Sequence, residues 1–253
     1  MSIARTLLAA LALCVTAAPA VADPPLTVTV FTGSAAGLHA TSTLVAGARD
    51  AILIDAQLDR ADAYRLAAMI FDSGKTLTTV YVTHAHADHY FGLTVLRQAF
   101  PKARFIALPA VAAEIKSTWK RALAQWRSRS GDQLAGRPVL PTAYRGRTLE
   151  LDGQVLELRG PRQGDVGAAT YVWIPSIQTV VTGDIVWNGV HPWTADTGVD
   201  QRSAWIATID EIRGLAPVTV IAGHKDPTAQ DAAPSLVGTR AYCRFLCPFG
   251  ATF

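Results

Sequence analysis

The segment Thr83-His84-Ala85-His86-Ala87-Asp88-His89 constrains this chain more than any other. It places three imidazoles and a carboxylate within six residues. Directly before it runs Leu77-Thr78-Thr79-Val80-Tyr81-Val82, rich enough in β-branched and aromatic residues to read as a buried strand. Such a strand delivers the polar groups into a loop at its C-terminal end. Imidazole nitrogen together with carboxylate oxygen suits a divalent ion of borderline hardness, zinc first and iron or manganese behind it. The competing reading is a polar loop whose histidines bond only to backbone. It accounts for a lone histidine better than for three of the chain's six in one loop beside an aspartate.

Two later positions carry the same kind of group. Asp184 closes the run Val180-Val181-Thr182-Gly183-Asp184, and His224 follows a strand-like Val218 to Ala222 in Ala222-Gly223-His224-Lys225. A glycine precedes each, which lets a ligand at a strand end approach an ion closely.

With Gly-Asp and Gly-His at the ends of later strands, the H-x-H-x-D-H spacing resembles the metallo-β-lactamase superfamily. That fold is shared by β-lactamases, glyoxalase II-like thioesterases, lactonases and several redox enzymes, so the resemblance speaks to architecture and leaves the substrate open. It implies an α/β fold of αββα type, two mixed sheets face to face with helices outside. It further implies that His84 and His86 bind a first metal, that Asp88, His89 and His224 bind a second, and that Asp184 bridges them. Asp55 at a strand end and the segment Trp205 to Asp210 extend the match. The stretch from Gly183 to His191 is similar to that of loosely characterised hydrolase-like members, and an aspartate bridge in place of cysteine leans away from the antibiotic-degrading zinc enzymes.

The superfamily supplies a third histidine to the first metal from a loop before the Gly-Asp strand. Here that loop reads Gly160-Pro161-Arg162-Gln163-Gly164-Asp165, with Gln163 where the histidine belongs. A neutral amide oxygen is a weaker ligand than imidazole, so the expectation is one or two zinc ions, the second site being the tighter.

The implied chemistry is a metal-activated water attacking a carbonyl carbon, with Asp88 and Asp184 orienting it and carrying its proton. Esters, thioesters, lactones and amides all fit. Two other readings stand beside it: a mononuclear iron oxidoreductase acting on sulfur compounds, and a protein that binds metal or ligand without turnover. Trp187, His191 and Trp193 lie a short loop beyond Asp184 and are candidates for the wall of a small-molecule pocket. Local turn structure alone would hold His191 equally well. His39, remote from every motif, reads as structural.

The remainder of the chain reads as one domain behind a leader. Arg5 precedes an apolar run from Thr6 to Ala18, and Ala20-Val21-Ala22 offers a small-x-small cleavage pattern. Residues 1–22 therefore read as a secretory signal, its apolar run being shorter than the ~20 residues of a membrane span. Residues 23–253 would then be a periplasmic or secreted domain with no stable membrane anchor. Loss of Arg5 takes the formal charge from +3 to +2, a balance that points to neither nucleic acid nor an anionic membrane surface as partner. In such a compartment Cys243 and Cys247 could pair, or pack as two buried thiols.

Periodicity supplies the elements. Strands are expected at Leu26 to Phe31, Ser42 to Val45, Ala51 to Ile54 and Ala103 to Ala107, then at Thr148 to Leu151, Val155 to Arg159, Thr170 to Ile174 and Thr179 to Thr182. Helices are expected at Asp59 to Ser73 with Gly74 as its cap, Tyr90 to Phe100, Ala110 to Gln133, Arg202 to Arg213 and Pro234 to Leu246. Trp119 and Trp126 share a face of the long helix, with lysines and arginines around them. That face reads either as a lid over the site or as an ordinary amphipathic face with its tryptophans packed inward.

Overall fold

The computed structural model describes residues 24–245, so the segment read as a secretory signal and Cys247 lie outside the described residues. Alternating and continuous apolar runs pair into a first sheet in chain order: β1 (Thr27–Thr32), β2 (Thr41–Ala46), β3 (Asp50–Ile54), β4 (Thr76–Val82), β5 (Arg104–Ala107) and β6 (Thr142–Ala143). The first three strands are antiparallel and the rest parallel to β3. Parallel neighbours need long crossovers, which α1 (Arg60–Asp72), α2 (Leu93–Ala99) and α3 (Pro109–Ser130) provide. The carboxylate of Asp59 caps α1 by accepting from Asp62 N at 2.8 Å.

A second sheet contains β7 (Thr148–Leu151), β8 (Gln154–Arg162), β9 (Ala169–Ile174) and β10 (Thr179–Val181). After β11 (Trp187–Asn188) and α4 (Val199–Gly214), β12 (Thr219–Ile221) joins that sheet beside β10. The chain continues through β13 (His224–Lys225), which pairs with β11, and α5 (Pro234–Phe245).

The side-chain alternation of β3 shows how the layers form. Ile52 and Ile54 face the second sheet, packing with Leu156, Leu158, Val172 and Ile174. Leu53, between them, faces outward onto Leu66 of α1 and Leu93 of α2. Burial on both faces is why β3 reads as a continuous apolar run. The outer face of the second sheet is covered by α4 and α5, with Tyr171, Val180 and Val220 against Trp205, Ile209 and Leu236. The result is the expected αββα sandwich. Among the described residues no helix is long and apolar enough to cross a membrane.

Element boundaries move where local geometry overrides periodicity. α2 begins at Leu93 rather than Tyr90, because the metal-type motif ends in a 3₁₀ turn over Ala87–His89. α4 begins at Val199 rather than Arg202, since Gln201 Oε1 reaches back to accept from Gly198 N at 3.0 Å. Trp205 anchors that outer layer, fully buried with Nε1 donating to Ile185 O at 2.8 Å. A Trp205→Ala variant is expected to lose about 3–5 kcal/mol of stability by denaturant unfolding. A loss under ~1 kcal/mol would mean that the indole does not organise this layer.

Candidate metal centre

The centre forms where β3 and β4 of one sheet meet β10 and β12 of the other. Asp55 follows β3 with φ of 63°, a left-handed conformation that aspartate tolerates better than most residues. Its carboxylate accepts from Thr83 N at 2.8 Å, Thr83 Oγ1 at 2.7 Å and His89 Nδ1 at 2.8 Å. Because the threonine hydroxyl donates to Asp55, its oxygen is left to accept from His84 Nδ1 at 2.9 Å. His224 Nδ1 donates to Leu38 O at 2.8 Å. In all three rings an outer acceptor takes Nδ1–H and Nε2 is presented inward, the arrangement by which proteins set an imidazole for a metal.

The inward atoms converge on Asp184. Its Oδ1 lies 3.1 Å from His89 Nε2, and its Oδ2 lies 3.4 Å from His84 Nε2 and 3.2 Å from His224 Nε2. Asp88 Oδ2 is 3.1 Å from His224 Nε2. His86 presents the other nitrogen: Nδ1 lies 3.1 Å from Asp165 Oδ2 and 3.7 Å from Asp184 Oδ2. Among the described residues three groups have donor atoms within 4.8 Å of one another: His84, His86, Asp165 and Asp184; Asp88, His89 and His224; and Asp55 with the His84 and His89 rings it orients.

These residues fit a metal. His84 Nε2 and both oxygens of Asp165 and of Asp184 are buried without a hydrogen-bond partner, an arrangement that costs several kcal/mol unless a cation sits among them. Glycine admits the close approach. A Cβ at Gly223 would overlap the Asp184 carboxylate, and Gly183 holds φ of 51° against the Thr83 side chain.

The electrostatics point the same way. Burial alone would depress His224, but the Asp184 and Asp88 carboxylates outweigh it and push the ring up to about 10. His89 is likewise raised well above the usual imidazole range against burial, by Asp184, Asp55 and Asp88. His86 is raised against burial by Asp165 and Asp184. Burial pushes Asp184 upward, yet His224, His89 and His84 hold it well below the usual carboxylate range. Positive charge belongs here, whether as protons or as metal.

The sequence profile of the metallo-beta-lactamase superfamily matches residues 35–224. The chain belongs to that superfamily. No curated protein sequence matches the chain. Among solved structures it is similar to the metallo-beta-lactamase family protein TTHA1429 from Thermus thermophilus, with a TM-score of 0.64 and 18% identity over 87% of this chain and 80% of that one. A metallo-beta-lactamase from Pontibacter korlensis gives a TM-score of 0.60 and 19% identity over 87% of this chain and 94% of that one. The DIM-1 metallo-beta-lactamase exposed to ceftazidime gives 0.62 and 17% over 88% and 98%. At such identities the likeness is one of fold.

The resemblance sets Gln163 where the superfamily has its third histidine. Asp165, not Gln163, stands beside His86. The Gln163 amide turns back, Nε2 donating to Gly164 O at 2.9 Å. The backbone bond from Gly164 N to Val166 O, 2.9 Å, tightens the loop around Asp165, whose carboxylate is 0% exposed. A carboxylate just past Gly164 in the same loop was the available signal, and it is a better metal ligand than an amide. Asp55, noted in the sequence only as a strand end, proves to orient His89 and, through Thr83, His84.

A cavity of about 1180 Å³ opens above the centre, with His86, Asp88, Asp184 and His224 at its floor. Trp187, His191 and Trp193 are on its wall as expected, and so is His39, which reads as merely structural in the sequence. Trp187 does more than line it. Its ring stacks on His224 at 4.2 Å between centroids and 7° between planes, while Nε1 donates to Asp184 O at 2.8 Å. Both readings of the long helix hold in part: Trp119 and Trp126 pack against the core, and Trp126 with Arg121 also borders the cavity.

Proposed function

We propose that this chain is a zinc-dependent hydrolase in which water attacks the carbonyl carbon of a small ester, thioester, lactone or amide and displaces the alcohol, thiol or amine. The observation that carries it is the set of three Nε2 atoms aimed at Asp184 beneath an open cavity, each ring locked from behind. Two imidazoles and a carboxylate with a position left open is a donor set of catalytic zinc. A bound ion would supply Lewis acidity and acidify a water toward a pKa of ~7.

The chain's own residues supply the rest. Asp55, Thr83 and the Leu38 carbonyl fix ring tautomers, so no reorganisation is needed on turnover. Asp88, 5% exposed at the cavity floor, is the carboxylate placed to take a proton from the attacking water and return it to the leaving group. Indole faces of Trp126, Trp187 and Trp193 suit an apolar substrate body and exclude water.

The same donor set also serves non-haem iron, so metal identity decides between hydrolysis and oxidation. Elemental analysis of the purified chain, read with turnover of ester, thioester, lactone and β-lactam substrates, tests the proposal. Zinc with turnover is expected. Iron with dioxygen-dependent oxidation of a thiol substrate would move the assignment to the redox reading. Bound metal with no turnover of any kind would leave a binding protein.

A further inference from the structure

We propose that Asp165 completes a first half-site whose donors match those of the second, so that the chain holds two ions of one kind in chemically equivalent places. The inference rests on the reading of this cluster as a dinuclear metal centre. His84, His86 and Asp165 surround one position, while Asp88, His89 and His224 surround the other. Each half thus has two imidazoles and one carboxylate of its own, and Asp184 reaches nitrogens of both, Oδ2 lying 3.4 Å from His84 Nε2 and 3.2 Å from His224 Nε2.

Among the described residues no hydrogen bond accounts for the burial of the Asp165 carboxylate. It is fully buried, neither oxygen has a hydrogen-bond partner, and the ion-pair contact it makes among the described residues is to His86, with His84 and Asp184 in the same cluster. A purely structural role would be to steer His86 from outside, as Asp55 steers His89. Geometry rules against that, because the His86 nitrogen facing Asp165 is the same Nδ1 that faces Asp184. The carboxylate therefore stands on the metal side of the ring.

The consequence is electrostatic. A histidine in place of Asp165, or the amide of Gln163, would give the first half-site neutral donors alone and leave the second with the only unshared carboxylate. With Asp165 each half brings one negative charge, and the loaded centre is one charge less positive than it would be with a histidine. The sequence-level expectation of a weak first site and a tight second one is thereby removed. Both halves should select the same ion, since ligand type and charge govern selection more than raw affinity does.

The test uses the full chain and zinc alone, with metal content by elemental analysis and affinity by competition with a chromophoric chelator. The parent is expected to bind two ions. Asp165→Asn and Asp88→Asn should each keep one, and the two retained ions should have dissociation constants within about tenfold of each other. Gln163→Ala should keep both. Retention of both ions by Asp165→Asn, loss of one by Gln163→Ala, or retained ions differing by more than about tenfold would overturn the inference while leaving the metal centre standing. A parent that binds no zinc would overturn the metal-centre reading itself. Should the asparagine variant fail to fold, anomalous scattering from a zinc-loaded crystal of the parent decides. An Asp165 oxygen ~2.0–2.2 Å from an ion is expected, and its absence from both coordination shells overturns the inference.

Discussion

Asp184→Asn protein, loaded with zinc and dialysed beside the parent, is expected to keep at most one ion and to lose turnover by about 10³-fold or more. Asp184 is the carboxylate within 3.7 Å of all four rings, and both its oxygens are otherwise unpartnered. The amide preserves shape, and the 3₁₀ turn over Gly183–Ile185 depends on backbone, so the fold should survive. What disappears is the charge shared by the two half-sites. Metal content by elemental analysis and turnover on the best substrate are the readouts, with circular dichroism as the check on folding. Two retained ions together with more than a tenth of parental turnover would show that the Asp184 charge is dispensable, and the bridging assignment would fall.

How much of this centre was legible beforehand depended on sequence distance. His84, His86, Asp88 and His89 sit in one loop after a strand whose burial writes its own pattern, so their convergence needed little beyond the strand assignment. Asp184 and His224 were legible because each ends an apolar run and follows a glycine. Gly223 has a physical reason to be there, since a side chain would occupy the space of the Asp184 carboxylate. The sandwich was likewise readable from runs such as β3 and β4, apolar on both faces. β11 and β13, two residues each, were not, because segments so short carry no alternation and are held by pairing with each other and with distant residues such as Ala40 and Thr239.

Asp165 and Asp55 escaped for different reasons. Which residue of Gln163-Gly164-Asp165 points inward is decided by a tight backbone turn between Gly164 and Val166 and by the fit of the loop against Ile185, which packs close to Gly164. Counting along the chain cannot supply that direction. The part played by Asp55 depends on a left-handed backbone at φ 63° and on β3 lying parallel to β4, which brings Thr83 and His89 within its reach. Trp187 shows a third limit. A tryptophan near a pocket is easily read as a wall, whereas its stacking on His224 arises only because β11 lies beside β13.

Zinc binding by the metal-free protein is expected to tighten with pH, by about tenfold per unit or more between about pH 6 and about pH 8 at the half-site of His89 and His224. In the metal-free chain burial would favour neutral rings, but Asp184 and its neighbouring carboxylates push His224 up to about 10 and hold His89 well above the usual range. The His224 ring therefore carries a second proton at neutral pH that an ion must displace, and the raised His89 ring adds to that requirement. Each displaced proton makes apparent affinity rise about tenfold per pH unit until the metal-free pKa is reached. The same protons act on stability with the opposite slope. A ring whose pKa is raised by folding contributes stability that is fully present below the unfolded value of ~6.5 and is lost as pH climbs through the folded one. Chelator-stripped protein should accordingly melt at lower temperature as pH rises from near 7 toward the His224 value of about 10, while the zinc-loaded protein is spared because metal has replaced the protons. Calorimetric titration in buffers of differing ionisation enthalpy counts the released protons directly. A zinc affinity that changes less than about tenfold per pH unit would mean that the rings are already neutral, and the carboxylates around them would then be serving the metal alone.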